Sequence, residues 1–365
     1  MSIELITSLI KANIVLAVLL TNTILLIWFE RKVVAGMQSR VGPDRAGPFG
    51  ILQTLADAIK LLLKEQILPS KADRAMYLLA PLIALVPSFL IFMIIPLGPD
   101  ITVEWQNSLY TIPLVGADLN VGVLYFLALS SIAVYSVVLA GWSSGSKYPL
   151  LGGVRASAQM ISYEAAMGLA LVPIILYSGS LSLVDIVNSQ AGNLSTSIPI
   201  LNSIVSFIPK WNIFPQFVAF GIFFIAAVAE VNRAPFDLVE AEQELVGGFH
   251  TEYSGFRFAM FFLAEYINMF NMCAITATFF LGGWLGPTFE GILPPIFSVI
   301  MPIIWLGVKT FLLLFVFVWI RATLPRLRYD QLMELGWKRM IPLSLVWLIL
   351  SAIVLGLREF GLPWS

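Results

Sequence analysis

The side chains best suited to chemistry crowd one stretch of this chain. Residues 229–255, AEVNRAPFDLVEAEQELVGGFHTEYSG, hold Glu230, Asp237, Glu240, Glu242, Glu244 and Glu252, six of the 22 acidic residues. Arg233 is the one fixed positive charge there, and His250 is the one histidine of the whole chain. Carboxylates packed at a membrane edge raise one another's pKa through like-charge repulsion and desolvation, and groups so coupled titrate as a set. The chemistry on offer is proton or cation handling; the plain alternative is a solvated acidic loop. Within the stretch Asp237 can cap a short helix, LVEAEQELV, with Glu240 at its third position, and Gly247-Gly248 can stop it.

More ionisable groups lie inside long apolar runs. Glu164 sits in SYE, Glu265 in AEY and Lys309 in the middle of another run, while Glu230 closes a fourth. Charge inside a membrane span is costly and usually marks a proton or ion path facing a polar interior. Asn268 and Asn271 follow Glu265 at helical spacings of 3 and 6, which suits a hydrated face. Glu230 and Lys309 fit equally a structural pair or a side chain snorkelling to the interface.

Other chemistries fall away. With Cys273 as the one cysteine and His250 as the one histidine, the chain alone holds neither an iron–sulfur cluster nor a bis-histidine haem nor a disulfide. Its cofactor set is therefore expected to be empty, and any electrons arrive from another subunit. The Gly/Ser-rich segment 141–159 lacks the GK[ST] ending of a nucleotide loop. A net charge of −1 gives no reason to expect nucleic acid.

The elements that must position these groups follow from hydropathy. The chain is 59% hydrophobic and 12% charged, where a soluble domain carries about a quarter charged residues. Apolar windows long enough to cross hydrocarbon fall near 10–29, 75–97, 119–141, 158–178, 214–231, 257–282, 296–320 and 341–357. No cleavage site follows the first, so it reads as a retained span. Of the 21 Lys and Arg, 17 fall on one face of that topology. By the positive-inside rule the acidic loop, 232–256, is cytoplasmic and both termini face outward. Residues 51–65 are too short and charged to span; Gln53, Asp57, Lys60 and Lys64 form a polar stripe opposite Leu52, Leu55, Ile59 and Leu63, as in an interfacial amphipathic helix. The expected fold is one all-α polytopic membrane domain over 1–365, with eight transmembrane helices plus that interfacial helix.

Four blocks in order on the same face then carry a resemblance: ERKVVAGMQSRVGPDRAGPFGILQ at 30–53, GWSSGSKYPLLGGVRASAQMISYE at 141–164, the acidic stretch, and RATLPRLRYDQLMELGWK at 321–338. Together they resemble the H subunit (subunit 1) of proton-pumping NADH:quinone oxidoreductase, respiratory complex I, across essentially the whole chain. Asp44, Thr54 and Val239 depart from the family's usual residues. The resemblance implies a heel subunit of the membrane arm, in a bacterial inner membrane, that forms much of a quinone chamber. It implies quinone as substrate, with iron–sulfur clusters and flavin held by partner subunits. Those partners would be the quinone-proximal soluble subunits, small membrane subunits and antiporter-like subunits, with lipid around them. By motif, Arg31, Arg40, Asp57, Arg233 and Phe236 belong to the chamber or its entrance. Glu164, Glu230, Asp237, Glu240, Glu242, Glu244 and Glu265 belong to proton coupling, and Arg321, Arg328 and Asp330 to a subunit contact. The rivals are the equivalent subunit of a membrane-bound hydrogenase or ferredoxin-dependent complex, and a stand-alone ion-coupled transporter. A purely structural anchor is the third.

Overall fold

The computed structural model describes residues 3–105, 108–193, 209–238, 246–286 and 296–360. Among them, seven helices are long and apolar enough to cross a membrane. In chain order the elements are α1 (Ile3–Met37), α2 (Gln53–Leu63), α3 (Arg74–Met93), the strands β1 (Ile101–Trp105) and β2 (Ser108–Ile112), α4 (Gly122–Ser143), α5 (Lys147–Ser178) and α6 (Leu183–Ser189). They continue with α7 (Phe217–Glu230), α8 (Gly255–Phe280), α9 (Ile296–Thr323), α10 (Tyr329–Glu334) and, after a π-helical turn, α11 (Ile341–Phe360).

The body of the chain is helical, with two departures from expectation. The loop at 98–118, which an all-α fold would leave without strands, holds an antiparallel hairpin in which Ile101 pairs with Ile112 and Trp105 with Ser108. Its β-branched and aromatic residues, ITVEW and SLYTI, favour a pleated strand. The second departure is α7. At 14 residues it rises about 21 Å, short of the roughly 30 Å of a hydrocarbon core. It ends at Glu230, where Asn232 takes a positive φ of 53° and turns the chain back.

Helix contact here cannot rest on the hydrophobic effect, because lipid is as apolar as leucine; small residues that let backbones approach do the work instead. Ala219, Ala226, Ala227 and Ala229 of α7 and Ala156, Ala166 and Ala170 of α5 are fully or almost fully buried. A side chain at Gly141 of α4 would meet the Pro149 carbonyl oxygen at 2.5 Å, and Gly153 faces it from α5. At Gly152 a Cβ would stand 2.6 Å from Gly248 Cα, so the start of α5 lies backbone to backbone on the short 3₁₀ turn Gly248–His250.

Polar ties fix the rest. Asn271 of α8 donates to the Ser88 carbonyl of α3 at 2.7 Å, and Trp347 of α11 donates to Gln216 before α7 at 2.7 Å. The first loop folds back on α1, with Lys32 donating to the Pro43 carbonyl at 3.0 Å and to Asp44 at 3.1 Å. In α2 the leucines and Ile59 of the apolar face are exposed.

Lys309 settles as a structural group. Its ammonium, 5% exposed, donates to the carbonyls of Leu281 (2.6 Å), Gly283 (2.9 Å) and Leu285, and lies 4.3 Å over the Trp211 ring. All three of its N–H donors are used on the chain leaving the C-terminus of α8, where a cation suits the helix dipole. Lys309→Met should leave those carbonyls without their shared donor. The temperature at which the assembled complex loses this subunit should then fall by several degrees, as read by native gels after graded heating, while Lys309→Arg recovers part of the loss.

Candidate functional site

A cavity of about 900 Å3 opens where α3, α4, α5 and α8 meet the two described ends of the acidic stretch. Part of its lining is apolar, with Ala84, Val137, Met160, Phe249, Phe258 and Phe261, and part is polar, with Glu230, Asn232, Arg233, Asp237, Glu265, Asn268 and Arg326. Each polar group arrives for a local reason. Glu230 ends α7, Arg233 and Asp237 follow the turn at Asn232, and Glu265 and Asn268 lie one helical turn apart on α8.

The strongest electrostatic feature is a chain of buried ion pairs. The Arg233 guanidinium, 4% exposed, lies 3.1 Å from Glu30 and 2.7 Å from Glu265; the second is a close charge contact without hydrogen-bond alignment. Tyr266 stacks beneath it, with the guanidinium carbon 4.4 Å from the ring centroid. Glu30 also receives Arg321 from α9. Two guanidiniums and two carboxylates thus balance in charge and join α1, the turn after α7, α8 and α9. Arg326 extends the set, 3.7 Å from Asp237.

The other two buried acids are held differently. Ser130 donates to Glu230 at 2.8 Å, and the next residue, Ser131, donates to Glu164. Consecutive positions on α4 therefore fasten both carboxylates. Glu230 lines the cavity and Glu164 does not.

Several expected site residues lie elsewhere. Arg31 and Asp57 form an ion pair of 2.7 Å between α1 and α2. Partial burial disfavours the Asp57 charge, but hydrogen bonds from Arg31 and Gln53 and the charge of Lys60 outweigh it and hold the carboxyl below its ordinary range. Arg40 donates to Gln38 at the surface at 2.8 Å. None of these three lines the cavity, and Phe236 packs on Tyr163 instead, with ring centroids 5.3 Å apart. Arg321, grouped by motif with a subunit contact, turns inward to Glu30, whereas Arg328 and Asp330 form an exposed bidentate pair at 2.7–2.8 Å. Glu240, Glu242 and Glu244, and the helix that Asp237 would cap, lie outside the described residues.

Two contributors escape a reading of the sequence. Glu30 closes an apolar run before Arg31-Lys32 and looks like a boundary marker; its partner Arg233 is 203 positions away. His250 reads as structural, yet it lines the cavity among Phe249, Phe258 and Phe261, with Phe249 at 3.9 Å between ring centroids. That apolar packing pushes its pKa down to about 4, so the ring is neutral near pH 7. Among the described residues no group of three metal-ligating side chains converges.

Comparison with known proteins finds relatives over nearly the whole chain. The family model described as NADH dehydrogenase matches residues 10–352. The NADH-quinone oxidoreductase H subunit 2 of Koribacter versatilis is 47% identical over 362 residues, covering 97% of this chain and 98% of that protein. The H subunit 2 of Syntrophobacter fumaroxidans is 51% identical over 336 residues, 92% of each chain. The H subunit 2 of Geobacter metallireducens is 50% identical over 359 residues, 95% of each.

Removing one partner of a buried ion pair costs about 3–5 kcal/mol, because the other charge stays buried. Glu30→Gln should therefore sharply reduce the amount of assembled complex in membranes, and the double change Glu30→Gln with Arg321→Gln should recover much of it. His250→Phe should leave the pH profile of activity unmoved between about pH 5 and 8, because a ring with a pKa near 4 takes up little charge there.

Proposed function

The chain belongs to the NADH dehydrogenase family, as an H subunit of NADH-quinone oxidoreductase and a multi-pass membrane protein, and on that premise we propose that it forms much of a quinone chamber and couples quinone reduction to proton translocation. The observation that carries this reading is the mixed aromatic and polar lining of the cavity. A lipid-soluble headgroup needs an apolar wall to enter along and a few placed polar groups to orient it. The aromatic side, with Phe249, Phe258 and Phe261, supplies the first; Arg233, Asp237, Glu230 and Asn268 supply the second.

In this reading the chain performs no redox step itself. Electrons reach the quinone from iron–sulfur clusters and flavin in soluble partner subunits, which dock near the exposed Arg328–Asp330 turn. Reduction adds negative charge or draws protons beside Arg233 and Asp237. The carboxylates of the acidic loop, Glu240, Glu242 and Glu244 with Glu230, respond by changing protonation. Glu164 follows through the paired serines of α4, and Glu265 through its contact with Arg233. The charge change then passes to the antiporter-like subunits of the membrane arm. Arg31, Arg40 and Asp57, away from the cavity, belong to the quinone's entry route, where the exposed apolar face of α2 meets lipid.

The topology that goes with it has eight crossings, α7 being the shortest, with both termini outside and the acidic loop cytoplasmic, in a bacterial inner membrane. The names of the relatives favour NADH as the electron source over a hydrogenase or ferredoxin module. The match to H subunits over nearly the whole chain favours a coupling subunit over a stand-alone transporter.

Neutralising Glu230, Glu240 or Glu244 one at a time to Gln in the assembled complex tests the reading. Proton pumping, measured by acidification of inverted vesicles, should fall several-fold or more, with quinone reductase activity reduced alongside it. Wild-type rates in both assays for all three variants would overturn it.

A further inference from the structure

We propose that Gln159 is the positioning residue that sets the cavity's polar wall, an inference that rests on the chamber reading above. Gln159 lies on α5 and is fully buried, yet it does not line this cavity and carries no charge. Its Nε2 donates to the Ala229 carbonyl at 2.9 Å, to the Phe236 carbonyl at 2.8 Å and to Asn232 Oδ1 at 3.3 Å. Two main-chain carbonyls can only accept, so the amide nitrogen must face them and the side chain has one workable orientation.

Those three oxygens belong to the two ends and the middle of one turn. The turn's own backbone bonds are short-range: Asn232 N to Ala229 O at 3.2 Å, Arg233 N to Val228 O at 3.3 Å, and Phe236 N to Arg233 O at 2.9 Å. The Gln159 amide adds the tie from the start of the turn at Ala229 to its far end at Phe236. Between and beside the atoms it holds lie Glu230, Arg233 and Asp237, three polar groups of the cavity wall. One helical turn along α5, Tyr163 packs against Phe236 and donates to the Leu332 carbonyl of α10 at 2.9 Å, so the same face of α5 braces the turn from below and α10 beyond it. The turn tolerates little drift, because Arg233 must stay within reach of Glu30 and Glu265 together. A side chain of Gln159's size without donors would leave two carbonyls facing it with nothing between them. Losing a buried hydrogen bond of this kind is worth roughly tenfold in an equilibrium.

The test is a double-mutant cycle in the assembled complex, reading KM and kcat for decylubiquinone. Gln159→Met, close in size and without donors, is expected to raise KM about tenfold. Added to Arg233→Gln, it should change KM by less than about twofold, because two residues acting through one contact do not add. A purely packing role for Gln159 moves assembly and leaves the two effects independent, so full additivity overturns the proposal, as does a wild-type KM in Gln159→Met. If the Met variant fails to assemble, Gln159→Asn, which keeps the amide on a shorter stem, takes its place in the cycle and must show the same non-additivity. A wild-type KM in Arg233→Gln alone overturns the chamber reading instead. An effect of Arg233→Gln with none from Gln159 overturns the positioning role only.

Discussion

A guanidinium buried among four helices has to be neutralised where it stands, and much of this structure follows from how Arg233 meets that demand. Taking a charge out of water costs several kcal/mol, recovered only with close counter-ions and well-placed polar neighbours. Arg233 finds them in Glu30, Glu265 and the face of Tyr266. The solution draws α1, α8 and, through Arg321, α9 to one point. Phe29 of α1 also packs on Phe311 of α9, and the charges fix how far that contact can slide. A buried ion pair is weak evidence for stability in general, but it fixes geometry strictly, and a cavity wall that must present Arg233 at a set place gains from that strictness.

The second organising element is α5. Its small residues admit α4 and α7 closely, its Tyr163 reaches α10, and its Glu164 is fastened to α4 by Ser131. The helix is apolar enough to sit in a membrane, yet Gln159, Tyr163 and Glu164 each bond to another element. Uncharged polar side chains inside a membrane protein work in this way: a partner in the bilayer interior has no water to compete with it. The charged groups of the cavity are thus carried on a frame of neutral hydrogen bonds, which does not titrate when they do.

Much of this was legible in the residues. Apolar runs located the long helices, and the density of acid at 229–255 marked the element that borders the cavity. The spacing of Glu265 and Asn268 put both on one face of α8, and both line the cavity. What spacing cannot supply is how a helix is rotated against its neighbours. Glu30, with a partner 203 positions away, and Gln159, with acceptors 70 and 77 positions away, become informative only after packing. Lys309 and Glu265 are both charges inside apolar runs, and carbonyls around the one and a guanidinium beside the other separate them. The hairpin of residues 101–112 and the shortness of α7 were missed because a loop between spans and a last helical turn are decided by neighbours, not by hydropathy.

The contact between Gly152 and Gly248 bears on how this protein can change over generations. The turn that carries Phe249 and His250 rests on the α5 backbone with no side chain between them, and any Cβ at position 152 would collide with it. That contact sets where the turn stands, and with it the place from which Phe249 and His250 reach the cavity. Adaptation to a bulkier or slimmer ligand is left to changes of lining side chains such as Met160, Val246 and Phe258. One part of the cavity is in this sense inherited whole, and the rest is open to revision one residue at a time.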